Sequence, residues 1–381
     1  MTQKRIYGLD TLRAIAILLV LMSHYSAFVS KQETFGFIGN IGRAGVDLFF
    51  VLSGYLIGNQ TMSAVAKGQP LSIRNFFARR LLRTLPNYYV VLAAYFIFPA
   101  ALSGSAVAPL WRFLTFTQNI GLEYGQTFTH SWSLCIEEQF YLILPLLTVL
   151  AIKYKNPGRL LWLLLVAGIA AGMTFRGWAW LHNNYDSFSA QVYYSSFGRF
   201  DELLPGVAIA MLKNFHPAVY ARLLQHGKTL FATGLLATTG VLYSLQNPDS
   251  YPFIVTTFGF SLLAISFAIL TLSALSPNSP LNRIRLPGAT QLALWSYAIY
   301  LVHKPVFMVL RAELVNTQID FNAPLSISAI GAAGVSGGWL LYRLVETPFM
   351  KMRARWFPIE GQQTTAHAIE ENNPVYAKTG V

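Results

Sequence analysis

Long apolar stretches recur along this chain, separated by short polar segments. A transmembrane helix needs about 20 consecutive, mainly apolar residues. Ten stretches come near that length, and charged residues or turns containing Pro and Gly lie between them. The pattern predicts about ten transmembrane helices, at residues 9–29, 43–60, 84–102, 132–152, 159–178, 198–213, 228–246, 253–275, 289–310 and 324–344.

The composition agrees with a membrane protein. Of the 381 residues, 54% are hydrophobic and 12% are charged, whereas a soluble domain carries about 25% charged residues. So few charged side chains do not cover a water-exposed surface, which argues against a soluble enzyme and against a disordered protein. We therefore predict an all-α fold, a polytopic membrane helix bundle over residues 1–348, followed by a polar, disordered cytoplasmic tail over residues 349–381.

The formal net charge of +12 has an explanation in membrane topology. In a soluble protein such a charge would suggest nucleic acid. With the N-terminus placed in the cytoplasm, however, most of the 28 Lys and Arg residues fall in cytoplasmic loops, as the positive-inside rule requires. We therefore expect both termini in the cytoplasm and no nucleic-acid partner. The opposite side receives few basic residues, namely Lys31, Arg112, Arg176 and Arg311.

Ionisable residues inside the predicted spans are functional candidates, because burying each one in a membrane costs a few kcal/mol or more. Those near a span end have a second interpretation, a solvated helix end. Two acidic pairs, 137–138 and 201–202, are embedded in apolar sequence, and pairing with a buried arginine is one possible role for them. The candidates are Asp10, Arg13, His24, Arg43, Asp47, Glu137, Glu138, Arg199, Asp201, Glu202 and His303.

Arg13 and His24 form the most informative pair. They are eleven residues apart, so both lie on one face of the first helix, about 16 Å apart along its axis. Asp10 is three residues before Arg13, a spacing that allows the two to pair. An intramembrane histidine is as often a packed, hydrogen-bonded residue as a functional one. Because Arg can bind phosphate and His can act as a general base, their shared face favours a site for an anionic ligand.

Seven motifs follow one another along these segments, and together they resemble acyltransferase family 3. This is a family of polytopic membrane enzymes that move acyl groups, usually acetyl, from acyl-CoA onto sugars or other acceptors. The motifs are Gly8–Ala16 with His24, Gly45–Ile57, Phe76–Arg83 with Pro86 and Tyr88, His130–Tyr141, Gly198–Asp201 with Gly206, Tyr300–His303 with Pro305, and Glu346–Pro348.

The resemblance implies an O-acetyltransferase in the inner membrane of a bacterium. Acyl-CoA would be its co-substrate, with no tightly bound cofactor and no metal, and a sugar hydroxyl of a cell-surface or lipid-linked glycan its acceptor. By this interpretation His24 is the general base, with Arg13 and Asp10 in the catalytic machinery. A covalent acyl-histidine stays open as a variant of this mechanism. Arg80 and Arg83, together with Arg13, would bind the phosphates or pantetheine of CoA.

Two other functions stay open at this stage. A macrolide or other small molecule would serve equally well as acceptor, and a multi-span transporter would share the span pattern, although we find no inverted repeat. We expect no appended hydrolase domain, and the oligomeric state stays undetermined. The seven His residues show no metal-ligand spacing. Further candidate site residues are Asp47, Ser53, Tyr55, Trp132, Ser133, Glu137, Glu138, Tyr141, Arg199, Asp201, His303 and Glu346.

Overall fold

The computed structural model describes residues 5–69, 71–102, 107–123, 125–182, 189–246 and 251–358. The regular secondary structure of these ranges is helical, which confirms the predicted all-α fold. The α-helices are α1 (Tyr7–Tyr25), α2 (Gly36–Ile41), α3 (Ala44–Ala66), α4 (Ile73–Ile97), α5 (Pro99–Leu102), α6 (Leu110–Leu114), α7 (Trp132–Ile152), α8 (Pro157–His182), α9 (Ser196–Arg199), α10 (Leu204–Phe215), α11 (Pro217–Gln225), α12 (Gly227–Ser244), α13 (Phe253–Leu275), α14 (Pro280–Arg283), α15 (Ala289–Leu314), α16 (Pro324–Leu341) and α17 (Thr347–Trp356).

Within the described ranges, seven helical segments are long and apolar enough to cross a membrane, so the chain is a polytopic membrane helix bundle. The predicted count of about ten spans and the cytoplasmic position of both termini stay predictions. The seven segments are Tyr7–Ser30, Ala44–Ala66, Thr129–Ile152, Pro157–His182, Phe253–Leu275, Ala289–Leu314 and Pro324–Trp356.

Two predicted segments differ most from the observed helices. The segment predicted at 84–102 covers the second half of α4 and the short α5, and α4 already begins at Ile73, because the side chain of Ser72 caps the helix by accepting from the Asn75 amide. The basic motif is therefore part of α4 and does not precede it. The segment predicted at 198–213 is divided by a 3₁₀ turn at Phe200–Leu203, which leaves only the 12 residues of α10 continuous.

Helix α3 lies at the centre of the bundle, where it packs against α1, α7, α10 and α13. The crossing with α10 is close because both helices present a glycine there. A side chain at Gly54 would overlap the backbone of Leu203, and one at Gly206 would overlap the backbone of Val51. Small residues at such crossings let helix backbones approach in the apolar phase of a membrane.

The C-terminal part of the described chain is more ordered than the sequence predicts. Helix α16 runs through a π-helical turn at Tyr342–Glu346 into α17, which packs against α4. The guanidinium of Arg79 also donates to the carbonyl of Phe357. The first residues of the tail predicted at 349–381 are therefore helical, and residues 359–381 lie outside the described residues.

Candidate active site

A cavity of about 370 Å³ lies between α1, α3, α4, α7, α15 and α17. Five arginines and one glutamate line it, so its net charge is positive. We call it the arginine cavity. Its charged lining residues are Arg13, Arg79, Arg80, Arg83, Arg353 and Glu137, and three of its hydroxyl-bearing lining residues are Ser53, Ser133 and Tyr300.

Several of these arginines keep a free hydrogen-bond donor. The Nε atoms of Arg13, Arg80 and Arg353 are buried and have no hydrogen-bond partner. Buried polar groups in folded proteins are nearly always hydrogen-bonded, so unsatisfied donors call for an explanation. Three such donors around one basic cavity form a site for an anionic group with several oxygen acceptors, such as phosphate.

Arg80 is held in place by acidic and aromatic neighbours. Its Nη2 lies 3.9 Å from a carboxylate oxygen of Glu137, and its Nε lies 3.8 Å from Glu138. These distances are within ion-pair range but too long for hydrogen bonds. The guanidinium carbon lies 3.6 Å from the centre of the Tyr141 ring. The Ser53 hydroxyl donates to Glu137 at 2.6 Å, so this carboxylate is also fixed.

A second group of polar side chains, the histidine cluster, consists of His24, His130 and His303. The His24 Nδ1 and His303 Nε2 atoms are 2.6 Å apart, and the two rings are stacked with their centroids 4.9 Å apart. The His130 ring lies edge-on to both, with its centroid 5.5 Å from that of His303 and 6.3 Å from that of His24. The sequence candidates His24 and His303 thus meet from two different helices.

The hydrogen bonds assign the tautomers of the neutral His24–His303 pair. His303 Nδ1 lies 2.9 Å from the carbonyl oxygen of Ile299, so this nitrogen carries the proton and donates it. His303 Nε2 is then an acceptor, and His24 Nδ1–H must donate to it. His24 Nε2 therefore keeps a free lone pair, which is the state that a general base requires.

His130 shows the complementary pattern. Its Nε2 donates to the Leu301 carbonyl at 3.0 Å, while its Nδ1 is buried without a hydrogen-bond partner. Two ring nitrogens of the cluster, His24 Nε2 and His130 Nδ1, therefore make no hydrogen bond to any residue that the structure describes. No group of His, Cys, Asp and Glu in the described part of the chain is arranged to hold a metal ion.

Two hydroxyls connect the arginine cavity to the histidine cluster. The Tyr300 hydroxyl donates to the backbone carbonyl of His130, and Ser133 Oγ lies 2.6 Å from the Tyr300 oxygen. Because Tyr300 has a single hydroxyl hydrogen, Ser133 is the donor in this pair. Ser133 and Tyr300 line the cavity, and the Tyr300 ring centroid is 6.0 Å from that of His303. The cavity therefore ends beside the cluster.

A separate set of charged residues, the buried ion-pair network, lies between α3, α8, α13 and the turn before α10. The Arg199 guanidinium donates to Asp47 at 2.8 Å and pairs with Glu202. Arg176 donates to the two carboxylate oxygens of Asp201 at 2.6 and 3.0 Å. Both arginines are fully buried, and Arg199 also packs on the rings of Phe260 and Trp132.

Two charged residues have partners that the sequence did not predict. Asp10 pairs with Arg5 at the start of α1 rather than with Arg13, because the chain before the helix folds back beside it. Arg176, predicted from the sequence on the side opposite the cytoplasm, has its side chain buried and paired with Asp201 inside the bundle, and its side of the membrane stays a prediction.

Other predicted site residues lie apart from both the cavity and the cluster. Tyr55 is buried on the far side of α3, where the Lys213 ammonium lies 5.9 Å from its ring centre. The Arg43 guanidinium donates to the Leu245 carbonyl at 3.3 Å. Glu346, in contrast, accepts from the Asn87 amide at 2.8 Å on the α4 side of the cavity.

The structure adds five residues that the sequence did not single out as site residues. His130 and Tyr300 are within two of the quoted motifs, but nothing in their spacing indicates that they meet. Arg79 and Arg353 line the cavity, and only the basic character of Arg79 suggested a role beyond topology. Lys304 follows His303 directly and is 3% exposed.

The acyltransferase-domain family matches residues 6–343 of this sequence. The chain belongs to that family. Membership favours an acyltransferase over a transporter, and it agrees with a cavity that ends beside a potential base. No solved structure matches the chain.

Curated relatives extend the comparison. The peptidoglycan O-acetyltransferase OatA of Listeria monocytogenes is 29% identical over 369 residues, which cover 92% of this chain and 56% of the relative. The O-acetyltransferase OatA of Staphylococcus aureus is 27% identical over 374 residues, covering 90% of this chain and 57% of the relative. The chain thus spans about half the length of the curated relatives that it matches.

Proposed function

We propose that this protein is a membrane O-acetyltransferase that moves an acetyl group from acetyl-CoA to a sugar hydroxyl of a cell-wall glycan. The observation that carries the proposal is the connection between the arginine cavity and the histidine cluster. Tyr300 lines the cavity and also contacts the His303 ring, which supports an anion site and a general base that act on one substrate. Two relatives named for O-acetyl transfer, one of them to peptidoglycan, support the acetyl group and the glycan acceptor.

The chemistry of the cavity supports acetyl-CoA as the donor. CoA carries phosphate groups on its nucleotide and a long, flexible pantetheine arm that ends in the thioester. The phosphates would accept hydrogen bonds from the free Nε groups of Arg13, Arg80 and Arg353. The arm would then run past Ser133 and Tyr300 and bring the thioester to the histidine cluster.

His24 acts as the base in the proposed reaction. Its Nε2 takes the proton of the acceptor hydroxyl as the hydroxyl oxygen bonds to the thioester carbonyl carbon. The tetrahedral intermediate collapses, the carbon–sulfur bond breaks, and the proton on His24 passes to the departing CoA sulfur. His303 holds the His24 ring through its 2.6 Å contact and the Ile299 carbonyl, so it is a positioning residue.

The test uses purified full-length protein in liposomes with radiolabelled acetyl-CoA and peptidoglycan fragments as acceptor. We expect His24→Ala to lower the transfer rate by about 10²–10⁴-fold, the range for removal of a general base, without a change in the detergent size-exclusion profile. His226→Ala is the matched control, because His226 is exposed on the surface. It should keep the wild-type rate.

Two results would overturn the proposal in different ways. Full transfer by His24→Ala would remove the base assignment. Absence of transfer from acetyl-CoA by the wild-type protein, with transfer from another acetyl donor, would remove the assignment of the donor. In the same assay, replacing the peptidoglycan fragments with other sugar acceptors tests the assignment of the acceptor.

A further inference from the structure

Lys304 is a buried cation near the middle of α15, directly after the positioning residue His303. Its side chain is 3% exposed. Lysine is almost never this buried without a partner, and inside a membrane bundle the cost of burying the charge is higher still. A residue retained at this cost calls for a specific role.

The neighbours of Lys304 place its ammonium beside the histidine cluster. The Nζ atom lies 4.5 Å from the centre of the Phe28 ring, and the His24 ring packs edge-on to the same Phe28 at 5.3 Å. Phe28 thus holds the lysine and the proposed base side by side, as expected of a cation–π contact.

No carboxylate balances this charge in the described ranges, where Lys304 has no ion pair with Asp or Glu. The comparison with the other buried cations is direct. Arg176 lies 2.6 Å from Asp201, and Arg199 donates to Asp47 at 2.8 Å. A purely structural cation would have such a partner, so Lys304 is free to meet a negative charge that is present only during the reaction.

We propose that Lys304 is a catalytic residue that stabilises the oxyanion of the tetrahedral intermediate formed at His24. This inference rests on the proposed acetyl transfer. As the acceptor oxygen bonds to the thioester carbon, the carbonyl π electrons move onto the carbonyl oxygen. The Lys304 ammonium donates a hydrogen bond to this oxygen, and the electrons return to form the carbonyl when the carbon–sulfur bond breaks.

The chemistry of the ammonium suits this task. It carries three donors on a flexible stem, so one can reach the oxyanion while the stem stays packed against Phe28. In a site that excludes water, a fixed positive charge stabilises developing negative charge more strongly than it would in solution. His24 and Lys304 divide the work: the histidine moves the proton, and the lysine stabilises the charge on oxygen.

The experiment compares Lys304→Met, Lys304→Arg and a matched control, Lys213→Met. Lys213 also lies over an aromatic ring, that of Tyr55, but away from the cavity. We expect Lys304→Met to lower kcat by about 10²–10³-fold, the loss seen when one oxyanion donor is removed, with unchanged affinity for CoA and no fall in the unfolding temperature, because the variant removes an unpaired buried charge. Lys304→Arg, which keeps the charge, should recover part of the loss.

The hydrolysis of acetyl-CoA by water supplies a second readout, because it passes through the same oxyanion without the sugar. It should fall in Lys304→Met in parallel with transfer, whereas a role in holding the sugar would leave hydrolysis unchanged. A kcat within threefold of wild type in Lys304→Met, or no recovery in Lys304→Arg, would overturn the inference while leaving the proposed function intact. An inactive wild-type protein would instead count against the proposed function itself.

Discussion

Two regions of this membrane bundle bury charge in opposite ways. In the buried ion-pair network, Arg176 and Arg199 each contact a carboxylate closely, and both are fully buried. In the arginine cavity and beside the histidine cluster, Arg13, Arg353 and Lys304 form no ion pair with a carboxylate of the described residues. The Nε atoms of Arg13 and Arg353 have no acceptor, and Lys304 lies against an aromatic ring.

The difference distinguishes charged residues that stabilise the fold from charged residues that are available to bind a ligand. A cation with its carboxylate in place is already neutralised, and removing it leaves an unpaired anion inside the bundle. A cation without a partner destabilises the empty protein and stabilises a complex with an anion. Burial of an ionisable residue therefore does not identify a functional residue by itself. Whether the buried charge has a partner of opposite charge distinguishes a ligand-binding role from a structural one.

The largest effect on folding should come from breaking the ion-pair network. We expect Arg176→Met to destabilise the protein by about 3–5 kcal/mol, because Asp201 then remains buried and charged without its partner. The unfolding midpoint in detergent measures this. The double variant Arg176→Met with Asp201→Asn removes both charges and should recover part of the loss. Wild-type stability in the single variant would contradict the structural role of this pair.

The arginine cavity should respond in binding rather than in folding. We expect Arg13→Met or Arg353→Met each to weaken CoA binding about tenfold, which corresponds to about 1.4 kcal/mol, with no loss of stability. Titration calorimetry with CoA measures the affinity. Arg74→Met is the matched control, because Arg74 is exposed on α4 and does not line the cavity. Equal CoA affinity in all three variants would argue against the cavity as the donor site.

The smallest effect should come from substitution of Asp10, which the sequence spacing allowed to pair with Arg13. Its partner Arg5 is largely solvent-accessible, with 42% of its side chain exposed, so this ion pair should contribute about 0–1 kcal/mol to stability. We expect Asp10→Asn to change the unfolding midpoint little and to reduce transfer less than Arg13→Met does. A larger loss of transfer than in Arg13→Met would return Asp10 to the catalytic machinery.

Much of the helix pattern could be predicted from the sequence, because hydrophobic length is a local property. The segments predicted at 132–152 and 253–275 coincide with α7 and α13. The 3₁₀ turn within the segment at 198–213 was not predicted, because such a turn inside an apolar run does not change the hydrophobic pattern. The beginning of α4 was missed because its first turns are basic, and charge suggested a loop.

The candidate site was predictable in part. Arg13 and His24 follow from helical spacing, and the basic motif on α4 indicated an anion site. The contact of His24 with His303 was not predictable, because 279 residues separate them and only the packing of α1 on α15 brings them together. Lys304 was visible as a charge within a predicted span, but its lack of a carboxylate partner is a property of the folded chain.

The contact between Arg79 and the Phe357 carbonyl has a practical consequence. It ties the end of α17 to α4, and both helices line the arginine cavity, so Phe357 is a fixed point near the cavity. A fluorophore attached close to this position would sense occupancy of the cavity, and a bulky fusion there would obstruct it.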